Sequence, residues 1–562
     1  MLNVPSVVQA AQAGSPPPPG QLTPSGFAPT PEVEARVFTL PNSPSGSAPV
    51  GAEQTYLVVG DIVVDGLDPA FAAKAQLILD PLRGARAPIS VLYGAAFKIQ
   101  AIYAEHGYFL TRVVIPPQVA HDHGRLIFKV AEGYIAKVDV SALAPAIRDR
   151  AAAILAPLIG LKRLKRADFI RALRLASDTP GLQFQSNLSP AHADLGVTLT
   201  VSGAFSAMNG QITFDNSMPR SLGGVETTVA ESINSPFGGG EQLYYSASAA
   251  AAYGGFGPNN PRRMAAVGLI APVLHDGLNL NLEYAWSATN PFTPVGQIAT
   301  DSLYQRASLK IKYPWIEGEK DGLSLRLAID NIDEINQASA FSQTLYHDHL
   351  NVARFGLDVH GDTMWGAADS VSLDISQGVP ALGARGAGQA TIDEPISRAG
   401  ASDAFTKLEA HARLRRDFWD SFTLDLSSRG QLALRGPLMN SEKFVIGGPD
   451  DLSGFDAGSF SGDSGWATRA EWQYRLPTKR GPSLTPYVFA ARGQVFTMNP
   501  TAAEVGIVGA ESAGLGLRAT LAPSSTLPSP TELGLEAARD VVDHQAPQAY
   551  SWRINLSASL RF

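Results

Sequence analysis

The sequence predicts a mainly β protein: a closed antiparallel barrel able to cross a membrane, preceded by two small α/β modules. Three observations carry that expectation. The C-terminal stretch alternates without a break, with Tyr550, Trp552, Ile554, Leu556, Ala558, Leu560 and Phe562 set between Ser551, Arg553, Asn555, Ser557, Ser559 and Arg561. Side chains along a strand point to opposite faces in turn, so one face is wholly apolar and the other wholly polar, as a wall between lipid and water requires. No apolar run approaches the about 20 residues that a helical span needs, and the best, Met264–Leu274, is broken by Gly268 and Pro272. A backbone that crosses a bilayer must then satisfy its polar groups between the strands of a closed barrel. Finally, the chain up to Val201 carries helical as well as strand periodicities, unlike the remainder.

Composition narrows the function. Charged residues are 17% of the 562, below the roughly 25% of soluble domains, and mean hydropathy is near zero. The absence of cysteine removes disulfides, thiolate nucleophiles and thiolate metal sites. A net charge of −8 gives no basic surface for nucleic acid. No Gly-x-Ser-x-Gly elbow, P-loop or His-Glu-x-x-His motif occurs, and the glycine-rich Gly447–Gly465 stretch does not open a helix. His121-x-His123 lies in a predicted turn without a nearby third ligand, so a solvated turn is the expectation. No catalytic, metal or cofactor site is therefore expected.

Residues 1–35 read as a leader and tether. Val7–Ala13 ends in the small-x-small pattern of a signal cleavage site but lacks a basic start, and a short plug helix fits the same residues. Pro16 to Pro19 then impose an extended spacer. Over 36–137, Tyr56–Val64 reads as a strand and Phe71–Leu82 as a helix. Ser90–His106 is a second helix with Leu92, Ala96, Ile99 and Tyr103 on one face, ended by Gly107. Tyr108–Ile115 and Arg125–Val130 follow as strands around the polar turn Ala120–Gly124. A weaker copy occupies 138–204, with helices near Ala146–Pro157 and Ala167–Leu175 and strands near Leu182–Leu188 and Val197–Val201. Lys162, Arg163, Lys165, Arg166, Arg171 and Arg174 give this copy a basic stripe, either a steering surface for an acidic polypeptide or a solvated helix face.

From 205 to 562 strands recur. Leu278, Leu280, Leu282, Tyr284 and Trp286 alternate with Asn279, Asn281, Glu283, Ala285 and Ser287 just after the turn pair Asp276-Gly277. The pattern returns at Leu323–Ile329 and Phe422–Leu426. One such strand would suit a soluble sandwich, but recurrence over roughly 350 residues with no helix between, at about 20 residues per strand and connection, gives about 16 barrel strands.

Particular stretches add a resemblance. Glu105–Gln118 (EHGYFLTRVVIPPQ) followed by Gly124–Val138 (GRLIFKVAEGYIAKV), with the signatures Gly107-Tyr108 and Glu132-Gly133, resembles a POTRA domain. The weaker copy is similar to a second POTRA domain. Ile212–Gly224 (ITFDNSMPRSLGG) looks like an Asp-Asn-x-Gly entry into a barrel, Ile311–Leu327 (IKYPWIEGEKDGLSLRL) carries a Tyr-Pro pair, and Ser441–Leu476 is the most specific match. Together, from Val37 onward, they resemble the ShlB/FhaC/HecB group, the TpsB transporters of two-partner secretion within the Omp85 superfamily.

The resemblance implies two periplasmic POTRA domains, a 16-stranded barrel in a Gram-negative outer membrane, and a long loop at about 437–465 folded into the lumen. That loop carries a Val-Arg-Gly-Tyr/Phe motif in the family, and here the residues are Leu452, Ser453, Gly454 and Phe455. The family's arginine meets an aspartate in a Phe-x-Asp-x-Gly strand, for which this sequence has Phe489, Ala491 and Gly493, with Ala491 at the acidic position. Loss of both partners is what coupling predicts, since losing one would leave a buried charge at a cost of about 3–5 kcal/mol. The tip is then expected to be held by packing of Phe455 and close approach at Gly454. Arg492, on the opposite strand face from Ala491, is a poor substitute partner for Asp450, Asp451 or Asp456. Phe562, closing a strand that contains Trp552, resembles the signal read by the barrel assembly machinery.

The implied function is nucleotide-independent export of a β-helical exoprotein of haemolysin or adhesin type by a monomer in outer-membrane lipid. The client would add an extended strand to a POTRA sheet edge. An Omp85-type assembly factor is the alternative, although that class carries more POTRA repeats and an intact lumen arginine. A porin or receptor is a second alternative, opposed by the two modules.

Overall fold

The computed structural model describes residues 37–39, 48–190, 196–294, 297–362, 367–419, 421–477, 482–502, 504–523, 529–543 and 551–562, so the expected leader and tether at 1–35 lie outside the described residues. Among the described residues, nine strands precede the barrel: β1 (Val37–Thr39), β2 (Tyr56–Val58), β3 (Asp61–Asp65), β4 (Arg86–Pro88), β5 (Thr111–Val114), β6 (Arg125–Glu132), β7 (Tyr134–Asp139), β8 (Leu182–Pro190) and β9 (Gly196–Phe205).

In the first module, α1 (Ala72–Leu79) and α2 (Ile89–Glu105) cover a sheet in which β6 lies between β3 and β5. The face of α2 read from its spacing is the buried one. Leu92, Ala96, Ile99 and Tyr103 are at most 4% exposed and pack with Ile62, Leu126 and Phe128. The single strand expected over Tyr56–Val64 is instead two. Gly60 passes so close to the carbonyls of His123 and Gly124 that no Cβ fits, and Val59 bonds to the loop residues Gly84 and Ala85.

The second module has sheet order β1-β8-β9-β7 under α3 (Pro145–Leu155) and α4 (Arg166–Ser177), around Ile147, Leu155, Phe169, Leu173, Phe184 and Leu199. Its sheet opens at Tyr134 rather than at the expected Val138, because β7 runs parallel to β9 from Tyr134↔Gly196 onward.

The barrel strands are β10 (Met208–Asp215), β11 (Glu226–Asn234), β12 (Gln242–Ala250), β13 (Arg262–Pro272), β14 (Asn279–Thr289), β15 (Thr300–Glu317), β16 (Gly322–Ala338), β17 (Gln343–Asp362), β18 (Ala368–Gly378), β19 (Thr406–Phe418) and β20 (Phe422–Ala433). A small hairpin, β21 (Phe444–Ile446) with β22 (Phe460–Gly462), forms a separate sheet that is not part of the wall. The wall resumes with β23 (Ser464–Tyr474), β24 (Ser483–Phe496), β25 (Ile507–Leu521), β26 (Thr531–Val542) and β27 (Trp552–Arg561). Every neighbour is antiparallel, and β27 pairs with β10, closing a cylinder of 16 strands.

Dyad alternation is realised as lipid face and lumen face. Trp552, Ile554 and Leu556 are 65%, 51% and 55% exposed on the outside, whereas Glu283, Ser287, Arg469 and Glu471 are buried inside. A continuous exposed apolar belt of this kind marks a membrane surface. Phe418, Trp419, Phe422, Trp472 and Tyr474 cluster around the β19–β20 turn, the contacting ring centroids 4.7 to 6.1 Å apart, the kind of aromatic group that girdles outer-membrane barrels.

Candidate functional site

Between β20 and β23 the chain turns back against the inner wall. Phe444, Ile446 and Leu452 of this loop bury against Ala467, Ala491, Val495 and Ala510 of three successive wall strands. Gly493 makes room for them, since a Cβ there would lie 3.0 Å from Ile446 Cδ1. Ala491 is therefore part of an apolar seat, which explains why an acid is not needed at that position.

The loop root is held by charge. Glu442 accepts from Arg354 at 2.6 Å and from Lys407 at 2.9 Å, and Arg354 also reaches Asp330 at 2.6 Å. Burial alone would raise the Glu442 carboxyl, but Arg354 and Lys407 hold it down at about 2. Arg429 pairs with Asp451, donates to the Val445 carbonyl at 2.6 Å and stacks over Phe444.

At the tip, the expected close approach at Gly454 is present. Its N–H donates to Ser512 Oγ at 2.9 Å, and a Cβ there would stand 3.0 Å from Asp540 Cβ and from Ser512 Oγ. Phe455 is half-buried and packs edge-on against Phe460 at 5.0 Å. Packing is not the whole hold, however. Arg469 of β23 donates to Ser453 Oγ at 2.9 Å while pairing with Glu536 at 2.6 Å and Glu471 at 2.8 Å, its guanidinium carbon 3.8 Å from the Phe489 ring centroid. The cation thus comes from the wall to the tip, and Ser453 receives it. Arg492 points the other way and pairs with Glu511 at 3.1 Å. Arg469 has no role in the sequence-based expectation, although the alternation set by outward Trp466 and Trp472 places Ala467, Arg469, Glu471 and Gln473 on the inner face.

The far side of the tip touches the closing seam. Arg553 of β27 pairs with Asp456, Asn555 donates to the Ser453 carbonyl at 2.8 Å, and Ala457 N–H donates to the Ser217 carbonyl at 2.9 Å. In the Asp215-Asn216 entry, the Asn216 amide donates to the Ile554 carbonyl and accepts from Leu556 N–H, both at 2.8 Å, copying one more strand residue. At the other end Phe562 and Gly210 exchange backbone hydrogen bonds of 2.8 and 2.9 Å.

The POTRA-like signatures meet at the joint between the modules. The Gly107 carbonyl, at φ +88°, accepts Arg166 N–H at 2.8 Å; Arg163 pairs with Asp68, lies 3.7 Å from Glu132 and stacks on Tyr108 at 5.2 Å. Gly133 lets the Leu110 backbone approach. The basic stripe is thereby largely engaged. Arg166 pairs with Glu319 at 2.6 Å, Arg171 donates to the Trp315 and Asp276 carbonyls at 3.0 and 3.2 Å, and Arg174 donates to the Glu319 carbonyl. Ser235 Oγ donates to the Ala146 carbonyl at 2.9 Å. The second module is thus docked on three turns at one end of the barrel, beside the bulge at Pro314 of the Tyr-Pro pair. Only Lys162 and Lys165 of the stripe remain exposed without such a contact among the described residues.

Residues 197–519 match the haemolysin secretion/activation protein family ShlB/FhaC/HecB, and residues 57–133 match the ShlB-type POTRA domain. The outer membrane transporter CdiB of Dickeya dadantii (strain 3937) is 23% identical over 395 residues, 67% of this chain and 65% of that protein, so the match spans just under two thirds of the relative's length. Among solved structures, CdiB from Escherichia coli aligns with a TM-score of 0.71 at 18% identity over 94% of each chain. CdiB from Acinetobacter baumannii aligns with 0.61 at 15% over the whole of each. At these identities the likeness is one of fold.

Proposed function

The chain belongs to the ShlB/FhaC/HecB family of haemolysin secretion/activation proteins, and from that premise we propose that it exports a partner exoprotein across the outer membrane by two-partner secretion. The observation that carries the reading is a lumen occupied by a re-entrant loop that is held by ion pairs and a small apolar seat. Such a hold is strong enough to close a pore at rest and reversible without covalent chemistry. Elsewhere the lumen carries paired charged groups such as Glu283, Arg306 and Lys310, which hydrate a passing chain. The two modules stand at the barrel mouth, where an extended client meets sheet edges before the pore. The client's own folding outside supplies the drive, in a compartment without nucleotide.

Deleting the gene and comparing proteins of the culture medium and cell surface tests this. Loss of one large protein, restored by a plasmid copy, is expected. An unchanged exoproteome together with depleted outer-membrane barrels would overturn the reading in favour of an assembly factor.

A further inference from the structure

The second module exposes one long sheet edge, and the chain's own N-terminal segment sits on it. β8 pairs with β9 at every position from Leu182 to Pro190. Its other side carries β1, parallel, through Val37↔Gln185, Phe38↔Ser186 and Thr39↔Asn187, and no other strand reaches that side among the described residues. The opposite edge of the same sheet is covered differently, by the segment after α3, where Gly160 N–H donates to the Ile135 carbonyl at 2.9 Å. In the first module the edge strands are short, β3 with five residues and β5 with four, against nine in β8.

β8 is built for exchange. Leu182, Phe184 and Leu188 are buried in the module and fix the strand, while Gln185 and Asn187 face solvent and ask little of a partner's side chains. Strand addition draws its affinity from main-chain hydrogen bonds and so accepts many sequences. Three paired positions are a weaker hold than a segment spanning the nine of β8 would have.

We propose that the β8 edge is the strand-addition site for the extended polypeptide in transit, and that β1 is a built-in competitor occupying it until a longer segment displaces it. This rests on the secretion reading above and names its docking edge.

The full chain has no cysteine, so Thr39→Cys with Asn187→Cys gives a single possible disulfide. Adjacent strands lie roughly 4.8 Å apart, within the Cα separation of roughly 4.4–6.8 Å that a disulfide spans. Oxidation in the outer membrane is expected to link the pair, lower export of the exoprotein at least ten-fold, and be reversed by reductant, while each single-cysteine variant exports normally. A pair that does not oxidise, or a linked protein that exports as well as the reduced one, overturns the proposal and leaves the secretion reading standing. If the unaltered chain exports nothing either, the secretion reading falls and the edge proposal with it.

Discussion

Replacing Arg469 by methionine should unseat the loop tip, and the size of the effect follows from what each partner keeps. Glu471 retains Arg518 at 2.8 and 2.9 Å and Gln473 at 3.0 Å. Glu536 keeps hydrogen bonds from Tyr487 at 2.8 Å and Asn555 at 3.3 Å but, among the described residues, no other ion pair, with the Arg518 charge acting on it only from further off. It is 7% exposed, and orphaning a buried carboxylate costs about 3–5 kcal/mol. That penalty falls on the wall. The share belonging to the loop is the charged hydrogen bond to Ser453, since the second one, to the Asp451 carbonyl, is long at 3.4 Å; that is about 1.5–3 kcal/mol, or roughly a 10- to 150-fold shift between seated and unseated tip. The double variant Arg469→Met/Glu536→Gln separates the two, because it relieves the orphaned charge while leaving the tip without its donor. Hydrogen exchange at the Gly454 amide, bonded to Ser512 only while the tip is seated, reads the shift directly. Exchange faster by that factor in both variants, with the double variant alone as heat-resistant as the unaltered barrel, is expected. Unchanged exchange at Gly454 in the double variant would refute the reasoning.

Three further outcomes follow. Gly454→Leu should abolish export, since even its Cβ meets Asp540 and Ser512 at 3.0 Å, and normal export would show that the tip has room. Arg163→Ala should broaden the distance distribution between spin labels on the two modules without altering either module's fold, and an unaltered distribution would mean that Asp68, Glu132 and Tyr108 do not set the joint. A carboxyl depressed to about 2, as in Glu442, stabilises the folded state fully above its unfolded value of about 4.3 and loses that contribution as pH falls toward 2. Protease access to the loop should therefore be flat from pH 7 to 5 and rise only in stronger acid. Glu442→Gln should remove the step, and an onset above pH 5 would place control elsewhere.

The fold was legible because each barrel residue obeys a local rule. Period two in the last strand needs no knowledge of any neighbour, and Trp552 and Leu556 face outward as that period requires. The helix face of α2 was legible for the same reason. What sequence could not deliver were pairings set by the closed cylinder. Arg469 and Ser453 are brought together by the loop's return path, and Arg469 meets Glu536 across β24 and β25, so neither contact has a sequence spacing to betray it. The basic stripe misled for a related reason, because charge density alone does not distinguish a surface awaiting a partner from one already docked on Glu319 and neighbouring carbonyls. The strand break at Gly60 depends on the His123 and Gly124 carbonyls, which lie in another segment altogether.

Loop tip and closing seam are not independent, because the same residues hold both. β10 meets β27 at five positions, against eight for β10 with β11 and nine for β26 with β27, so the junction of the terminal strands is the shortest of those three. Asn216 lengthens it by imitating a strand residue, and its own carbonyl is fixed by Arg553 at 2.7 Å. Arg553 is in turn paired with Asp456 of the loop, while Ala457 fixes Ser217 beside it and Asn555 holds Ser453. A seated tip therefore braces the seam from inside. An unseated tip withdraws three contacts, each hydrogen bond worth about 1 kcal/mol net, from the one place where the cylinder is joined by strands distant in sequence. On the secretion reading proposed above, unseating the tip to clear the pore would weaken the wall in the same step, through the same residues.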